Sequence, residues 1–156
     1  LESYPTLAAK EITIMQSDSG YIKFKIEAPT LNAFRGAEKP YTEFPEGLVA
    51  RIFDRNKNET SKISANYVIY KEDENKWIAR HDVEVIDANG QIVNTEYLVW
   101  DQKKGKIYSD RFTKFTQEDA VIYGKGFEAN EDLTNGHIKN PTGFFYIDEE
   151  EYKTQD

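Results

Sequence analysis

The feature that most limits how this chain can fold is an internal repeat of 30 residues in its second half. When residues 61–90, 91–120 and 121–150 are written beneath one another without gaps, aromatic, apolar and turn-forming residues fall in the same columns. The matching columns are Tyr67, Tyr97 and Phe127; Ile69, Val99 and Ala129; Asn75, Gly105 and Asn135; Ile78, Tyr108 and Ile138; and Val85, Phe115 and Phe145. A unit of this length holds about two strands of ten residues and a turn. Each unit is therefore predicted to be strand, turn, strand.

The first half of the chain carries the two-residue alternation that is typical of half-buried strands. Along residues 21–28, apolar side chains alternate with Lys and Glu, and Pro29 is predicted to end this strand. Residues 11–15 and 48–54 are also predicted to be strands, and residues 30–47 a long loop. The dipeptide at residues 89–90 is Asn-Gly, a strong indication of a tight hairpin turn.

These patterns predict an all-β domain of roughly 10 to 13 antiparallel strands, arranged as two packed sheets or as one strongly curled sheet. The chain between the strands is too short for crossover helices, which disfavours a parallel sheet. We expect an N-terminal leading segment at residues 1–10, a single domain at residues 11–148 and an acidic tail at residues 149–156.

Charge and composition exclude several classes of function. The net charge of -8 and the pI near 4.9 disfavour a nucleic-acid partner, which would require a basic surface. The chain has no cysteine and therefore no disulfide, thiol nucleophile or cysteine-based zinc site. No apolar run is long enough to span a membrane. Because the sequence begins at Leu1 without Met, we expect an anchoring segment to precede it.

No residues have the spacing of a catalytic or metal site. His81 and His137 lie far apart and outside any chelating motif. The glycines at residues 124 and 126 are too close together, and too far from any predicted helix, to form a phosphate-binding loop. The glutamates at residues 149–151 are more typical of a solvated tail than of a calcium site. We therefore expect that the chain is not an enzyme and uses no cofactor or metal.

The remaining functional feature is the set of apolar and aromatic residues. It predicts one interior, which is either a filled core or an apolar slot that accepts acyl chains. The candidate lining residues are Ile22, Phe24, Ile26, Tyr67, Ile69, Val85, Tyr97, Val99, Phe115, Phe127 and Phe145. In a carbohydrate-binding β-sandwich, the main alternative, Trp77 and Trp100 would lie on an outer face instead. A hydrolase, the second alternative, would need two carboxylates that converge in a cleft.

Two segments are predicted to form free edges of the sheet. Ile12 and Ile14 belong to the first predicted strand, and Phe144 and Tyr146 belong to the last. An unpaired row of backbone N–H and C=O groups is a template for another strand. The acidic run that begins at Asp148 would discourage self-association at the second edge and favour a basic partner.

Several stretches, taken in order, resemble the LptC family. They are SDSGYIKFKIEAPTLNAF (17–34), EFPEGLVARIFD (43–54), ISANYVIYKEDENKWIARHDVEVID (63–87), VNTEYLVWDQKKGKIYSD (93–110) and YGKGFEANEDL (123–133). The matching positions are Gly20 and Ala28, Ala65 and Tyr67, Asp82 and Val83, Thr95 with Leu98 and Asp101, and Gly124, Gly126 and Phe127. Where many members have glycine before the Asp/Asn-Val pair, this chain has His81. We expect a Bacteroidetes-like member.

The resemblance implies a curled antiparallel β-jellyroll, similar to LptA and to the N-terminal part of LptD. Its slot would hold the lipid A acyl chains of lipopolysaccharide. The N-terminal edge would meet an LptB2FG-like inner-membrane ABC transporter, which hydrolyses the ATP, and the C-terminal edge would meet an LptA-like periplasmic bridge protein. The chain would act in the periplasm, anchored to the inner membrane through an N-terminal segment.

Overall fold

A computed structural model describes residues 4–147, which form an all-β fold without helices. No helix that could cross a membrane is therefore found in this part of the chain. The strands are β1 (Leu7–Asp18), β2 (Tyr21–Phe34), β3 (Tyr41–Phe44), β4 (Leu48–Phe53), β5 (Glu59–Ala65), β6 (Tyr67–Lys71), β7 (Lys76–Asp87), β8 (Ile92–Asp101), β9 (Lys106–Thr116), β10 (Ala120–Asn130) and β11 (His137–Tyr146). The predicted fold class and strand number are confirmed.

The eleven strands form one antiparallel meander, in which short strands join end to end. β3 and β4 pair with successive parts of β2, while β6 and β5 pair with successive parts of β7. β3 also pairs with β6, and β4 pairs with β5. β3 and β4 together act as one bent strand, and so do β5 and β6. The sheet therefore consists of nine bent strands, and strands that are neighbours in the sheet follow one another in the chain.

The bends fold the sheet into two wings that face each other. Wing A contains β4, β5 and those parts of the long strands that continue the same sheet beside them. Wing B contains β3, β6 and the remaining parts of the long strands. Strand β7 shows the division, because residues 84–87 pair with β5 in wing A and residues 76–80 pair with β6 in wing B. The result is a curled, jellyroll-like arrangement, as the family resemblance implied.

The bend follows a line of irregular backbone, here called the crease, through Glu11, His81, Asp82 and Gly126. These residues have left-handed φ values of 52°, 67°, 53° and 95°. Strand pairing shifts at the crease between β7 and β8, β8 and β9, and β9 and β10, and it is interrupted without a shift at Glu11 between β1 and β2. Left-handed residues and bulges bend a strand and increase its twist, so the crease turns a flat meander into two facing wings.

The prediction that Pro29 ends the second strand is wrong. β2 continues through Pro29 to Phe34, and β3 occupies part of the predicted loop at residues 30–47. Glu11 and Pro29 face each other but are not paired, and the register of β1 with β2 is the same on both sides of them. Glu11 has a left-handed φ of 52°, and the ladder is interrupted at the position where proline has no N–H to donate. β1 also begins at Leu7, inside the predicted leading segment.

The turns of the repeat have the backbone that their sequence predicts. Asn75, Gly105 and Asn135 occupy the same column of the repeat, and each lies in a hairpin turn with a left-handed φ of 52°, 63° or 56°. Asn and Gly tolerate this conformation better than other residues. Gly90 in the predicted hairpin turn has a φ of 84°. Every unit of the repeat is strand, turn, strand, as predicted.

The third unit of the repeat is nevertheless out of phase with the first two. In units one and two the buried residue stands one position after the aligned tyrosine, at Val68 and Leu98, whereas in unit three the aligned Phe127 is itself buried. The slip is present from the start of β10, because Ile122 pairs with the enclosed Phe115, whereas in unit two that place belongs to Val93, one column later in the repeat. A slip of one residue turns every following side chain to the opposite face.

The core lies between the wings and is rich in aromatic side chains. Phe24 stands edge-on to Trp77 and Trp100, with ring centroids 6.4 and 5.4 Å away. The two indoles stack on each other at 5.8 Å. Phe115 and Phe127 form a T-shaped pair at 5.1 Å nearer the C-terminal edge. Such edge-to-face and offset pairs stabilise a core beyond the burial of their area.

Buried hydroxyl groups satisfy the backbone where β9 crosses the crease. Thr95 Oγ1 donates a hydrogen bond to the carbonyl oxygen of Phe112 at 2.9 Å, and Thr113 Oγ1 donates to that of Arg111 at 3.1 Å. The backbone N–H of Arg111 donates to Ser109 Oγ at 3.0 Å. Because an unpaired buried backbone group is costly, these side chains allow the ladder to break without loss of stability.

We expect His81→Gly to raise the free energy of unfolding by roughly 0.5–1 kcal/mol. A left-handed φ costs a non-glycine residue about 1–2 kcal/mol, which the larger chain entropy of unfolded glycine partly offsets. Urea unfolding measures the change, and Lys62→Gly at an ordinary position of β5 is the control, which should be destabilised. A loss of stability in both variants would contradict a strained left-handed backbone at His81.

Candidate functional site

The interior between the wings is apolar and almost completely filled. Its fully enclosed members include Ile26, Val85, Val93, Ile107, Phe115 and Phe127, each with 0% of its surface exposed. A void of about 20 Å³ remains between the wings beside Trp77 and Trp100, which is room for roughly one water molecule. An acyl chain therefore enters this interior only when side chains move or the wings separate.

At the N-terminal edge the interior opens into a groove of about 300 Å³, here called the N-terminal mouth. Leu7 and Ile14 of β1 line one side of it, and Trp77 closes its inner end. Its polar residues are Gln16, Arg35, Thr42, Glu72 and Gln102. The N-terminal mouth thus combines an apolar wall with a polar rim, and it ends at the aromatic core.

At the C-terminal edge, aromatic side chains extend the interior face of wing A beyond the core; this end is here called the C-terminal mouth. Phe144 pairs with Ile122, which packs against the core, so both side chains point to the interior side. Phe144 and Tyr146 form a T-shaped pair at 4.7 Å and remain 52% and 75% exposed. Apolar surface at the C-terminal mouth is therefore continuous with the core and accessible.

Both outer strands of the sheet have a free edge within residues 4–147. β1 pairs only with β2, and β11 pairs only with β10. The backbone N–H of Ile147 donates to the carbonyl oxygen of Asp119 at 2.9 Å. Because N–H groups alternate in direction along an antiparallel strand, those of Phe144 and Tyr146 point away from β10. The outer side of β11 can therefore accept a further strand.

The structure brings together five of the eleven predicted lining residues. Phe24, Ile26, Val85, Phe115 and Phe127 all belong to the interior. Of the other six, Ile22, Tyr67, Ile69, Tyr97 and Phe145 lie outside the core, whereas Val99 is buried but lies between the interior residues Leu98 and Trp100 of β8.

The misplaced residues have three physical causes. Alternation along β6 and β8 puts Val68 and Leu98 in the core, so the side chains on either side of them, including the 4% exposed Val99, face outward. The phase slip of the third unit turns Phe145 outward, where it is 62% exposed. A bulge in the pairing of β2 with β1 takes Ile22, 41% exposed, out of the core.

The predicted edge residues lie on the edge strands. Ile12 and Ile14 belong to β1 and pack against the core from the N-terminal side. Phe144 and Tyr146 belong to β11, which is a strand of ten residues rather than the four predicted. The acidic run after this strand, from Asp148 onward, lies outside the described residues.

The two tryptophans face the interior, which contradicts the carbohydrate-binding arrangement. Trp77 and Trp100 are only 6% and 4% exposed. Their indole N–H groups donate to Gln102 Oε1 and Glu131 Oε2, both at 2.8 Å. They are therefore satisfied core residues, and neither indole offers an outward face on which a sugar could stack.

The tyrosines that the repeat aligns carry polar contacts on the outer face. The guanidinium groups of Arg80 and Arg111 lie 4.9 and 5.3 Å from the centre of the Tyr97 ring. The Tyr67 hydroxyl donates to Glu43 Oε2 at 2.6 Å. Burial, followed by this hydrogen bond, raises the pKa of Tyr67 to about 12. These residues stabilise the outside of wing B and do not contribute to the interior.

Sequence reasoning missed interior residues that lie outside the aligned columns. Leu98 and Trp100 could have been found from the alternation along β8, because both flank the outward Val99. Leu133 gave no such indication, since it lies in the loop between β10 and β11 and yet is only 1% exposed. Its burial shows that this loop turns into the molecule rather than away from it.

The fold and its two mouths define a class of protein, a jellyroll-like all-β domain with an apolar interior and a free edge at each end. A family model described as "Lipopolysaccharide-assembly, LptC-related" matches residues 1–142, and the chain belongs to the LptC family. No curated protein matches the chain. Membership supports a role in lipopolysaccharide transport as part of the Lpt system, in a family that is periplasmic and associated with the envelope.

The glycine motif that carried part of the resemblance has a structural role. A side chain on Gly124 would stand 2.4 Å from the carbonyl oxygen of Asn140, so only glycine lets β11 approach β10 here. Gly126 supplies the left-handed residue at the crease and turns Phe127 into the core. The motif therefore determines the docking of β11 and the bend of β10 at the crease.

We expect Phe115→Ala and Phe145→Ala to differ sharply, although the repeat aligns the two residues. Loss of the enclosed Phe115 should lower the free energy of unfolding by about 3–5 kcal/mol. Loss of the exposed Phe145 should change it by less than about 0.5 kcal/mol. Urea unfolding of both variants is the measurement, and equal losses would contradict the phase slip.

Proposed function

We propose that this chain relays lipopolysaccharide by holding its lipid A acyl chains between the two wings. The observation that carries the proposal is an apolar interior that continues to the surface at both free edges. A lipid tail needs a continuous apolar wall and few hydrogen-bonding groups. The polar rim of the N-terminal mouth leaves the sugar and phosphate part of the lipid in contact with water.

The filled interior suits a relay better than a storage site. Each methylene group that leaves water gains about 0.8 kcal/mol, but an arriving acyl chain must also displace packed side chains such as Trp77 and Phe44. Because one apolar contact replaces another, the net free energy of binding stays small. A carrier that must pass its lipid to the next protein requires weak, reversible binding of this kind.

The two free edges are the proposed docking surfaces. β1, with Ile12 and Ile14, would receive the periplasmic part of the inner-membrane transporter, and β11, with Phe144 and Tyr146, would receive the bridge protein. Strand addition would join the sheets and place the interiors of neighbouring jellyrolls in line. ATP hydrolysis in the transporter would drive transfer, so the chain itself would need no catalytic group. We place the chain in the periplasm, anchored at the inner membrane.

We expect a photo-crosslinking amino acid at Phe144 to capture lipid A, and the same amino acid at Phe145 to capture none. The two positions are adjacent and similarly exposed, but only Phe144 faces the interior side. Crosslinked lipid is detected by its mass shift on a gel. An interior substitution at Phe127 and an outer-face substitution at Tyr97 form a second matched pair.

The comparison within each pair decides the test. Capture at Phe144 and Phe127 with little at Phe145 and Tyr97 supports an interior path. Equal capture on both faces would indicate general surface adhesion and would contradict the proposal.

We expect Tyr146→Pro to weaken binding of the bridge protein at least about tenfold, without unfolding the chain. The N–H of Tyr146 points away from β10, so proline removes a donor only from the outer edge, where it is tolerated. Tyr146→Ala is the control that removes the side chain and keeps the donor. Binding to the bridge protein and to the transporter is measured separately, and unchanged affinity of the proline variant for the bridge protein would reject docking at β11.

A further inference from the structure

The loop between β10 and β11, residues 131–136, connects the two wings and is here called the latch. Ser61 of wing A is 1% exposed, and its Oγ donates to the carbonyl oxygen of Glu131 at 2.6 Å. Glu131 follows the end of β10 in wing B, and β7, β8 and β9 separate β5 from β10 in the sheet. The hydrogen bond therefore spans the gap between the wings instead of following the sheet.

Further contacts hold the latch to wing B. Glu131 Oε2 accepts the indole N–H of Trp100 at 2.8 Å, and the backbone N–H of Glu131 donates to the carbonyl oxygen of Gly105 at 2.9 Å. Within the latch, Asp132 Oδ1 accepts a hydrogen bond from the backbone N–H of Thr134 at 2.9 Å. The latch is thus an ordered loop, with one hydrogen bond to wing A and at least two to wing B.

Leu133 is the apolar tip of the latch. Its side chain is 1% exposed and belongs to the core, although its φ of 68° is a conformation that leucine rarely adopts. Beside it the backbone of Gly136 lies against Phe115 and Phe127, so closely that an added Cβ would stand 3.0 Å from the Phe115 ring. Burial of the leucine side chain offsets the strain of its backbone.

We propose that the latch is a gate to the acyl-chain site, and that Leu133 occupies in the closed state a position that an acyl chain takes when the latch swings outward. This inference rests on the proposed function. An acyl chain would replace one apolar occupant by another, so the core stays dry. Opening would release the strained φ of Leu133 and would break the hydrogen bond from Ser61, which frees the wings to separate.

The other turns of wing B do not provide this connection. The turn between β8 and β9 is bonded to its neighbour in the same wing, since the backbone N–H of Gln102 donates to the carbonyl oxygen of Asn75 at 3.2 Å. Among the turns of wing B in residues 4–147, the latch alone combines a buried leucine with a hydrogen bond to wing A. It is therefore the turn of wing B whose movement would open the interior along its side.

The test uses the absence of cysteine from the natural chain. In Leu133→Cys, maleimide should react slowly with the closed protein and roughly tenfold faster or more once lipid A in detergent micelles is added. Leu98→Cys is the control, because Leu98 is equally buried but lies in the central strand β8. Its labelling should stay slow with lipid A, and detergent micelles alone should accelerate neither. Adding Ser61→Ala should raise the labelling of Leu133→Cys without lipid.

Hydrogen exchange of the unmodified chain provides a second measurement if Leu133→Cys fails to fold. Amides of residues 131–136 should exchange faster with lipid A, whereas those of β8 should not. Unchanged labelling and exchange in the latch would overturn the gate, provided that the same preparation captures lipid A through the crosslinker at Phe144. Acceleration at Leu98 as well would indicate general loosening and would also overturn it. Absence of lipid capture would overturn the proposed function itself.

Discussion

The structure depends on the left-handed backbone of the crease. An antiparallel meander of long strands would by itself form one broad twisted sheet with two exposed faces. The bends at His81, Asp82 and Gly126, with the left-handed Glu11, instead bring one face of wing A against the same face of wing B. All interior packing follows from that closure, as does the existence of a mouth at each end. His81 and Asp82 are consecutive non-glycine residues with strained backbone. The strain is tolerated because the two wings pack against each other on either side of the crease.

Sequence alone was sufficient for the fold class, the order of strands in the repeat and the positions of the turns. Alternation, turn chemistry and repeat length each depend on local physics, and Asn75, Gly105 and Asn135 show that the local rule held in every unit. The errors in strand extent at Pro29 and Leu7 arose from pairing partners. Proline is tolerated at position 29 because the facing Glu11 is not paired with it, and no pattern within residues 21–34 indicates this interruption.

The candidate site was harder to predict because the facing of a side chain depends on counting residues without error. The repeat aligned Phe127 with Tyr67 and Tyr97, yet the third unit is one residue out of phase from the start of β10, which reverses the faces of its side chains. Similarity of residue type therefore indicated which positions are structurally equivalent along the strand, but not which face they occupy. The burial of Leu133 depends on contacts between the two wings. These contacts join residues that are remote in sequence, so they produce no periodic pattern of apolar residues.

The phase slip also bears on function, since it decides which aromatic rings of the C-terminal edge strand face the interior side. With the phase of the first two units, Phe145 would face the interior, as Val85 and Phe115 do. In the actual register Phe144 faces the interior side and Phe145 the outer side, so both faces of one edge strand carry exposed aromatic rings. An exposed apolar edge strand promotes aggregation unless another strand covers it. The proposed docking of a partner strand at β11 would cover these rings and continue the apolar interior.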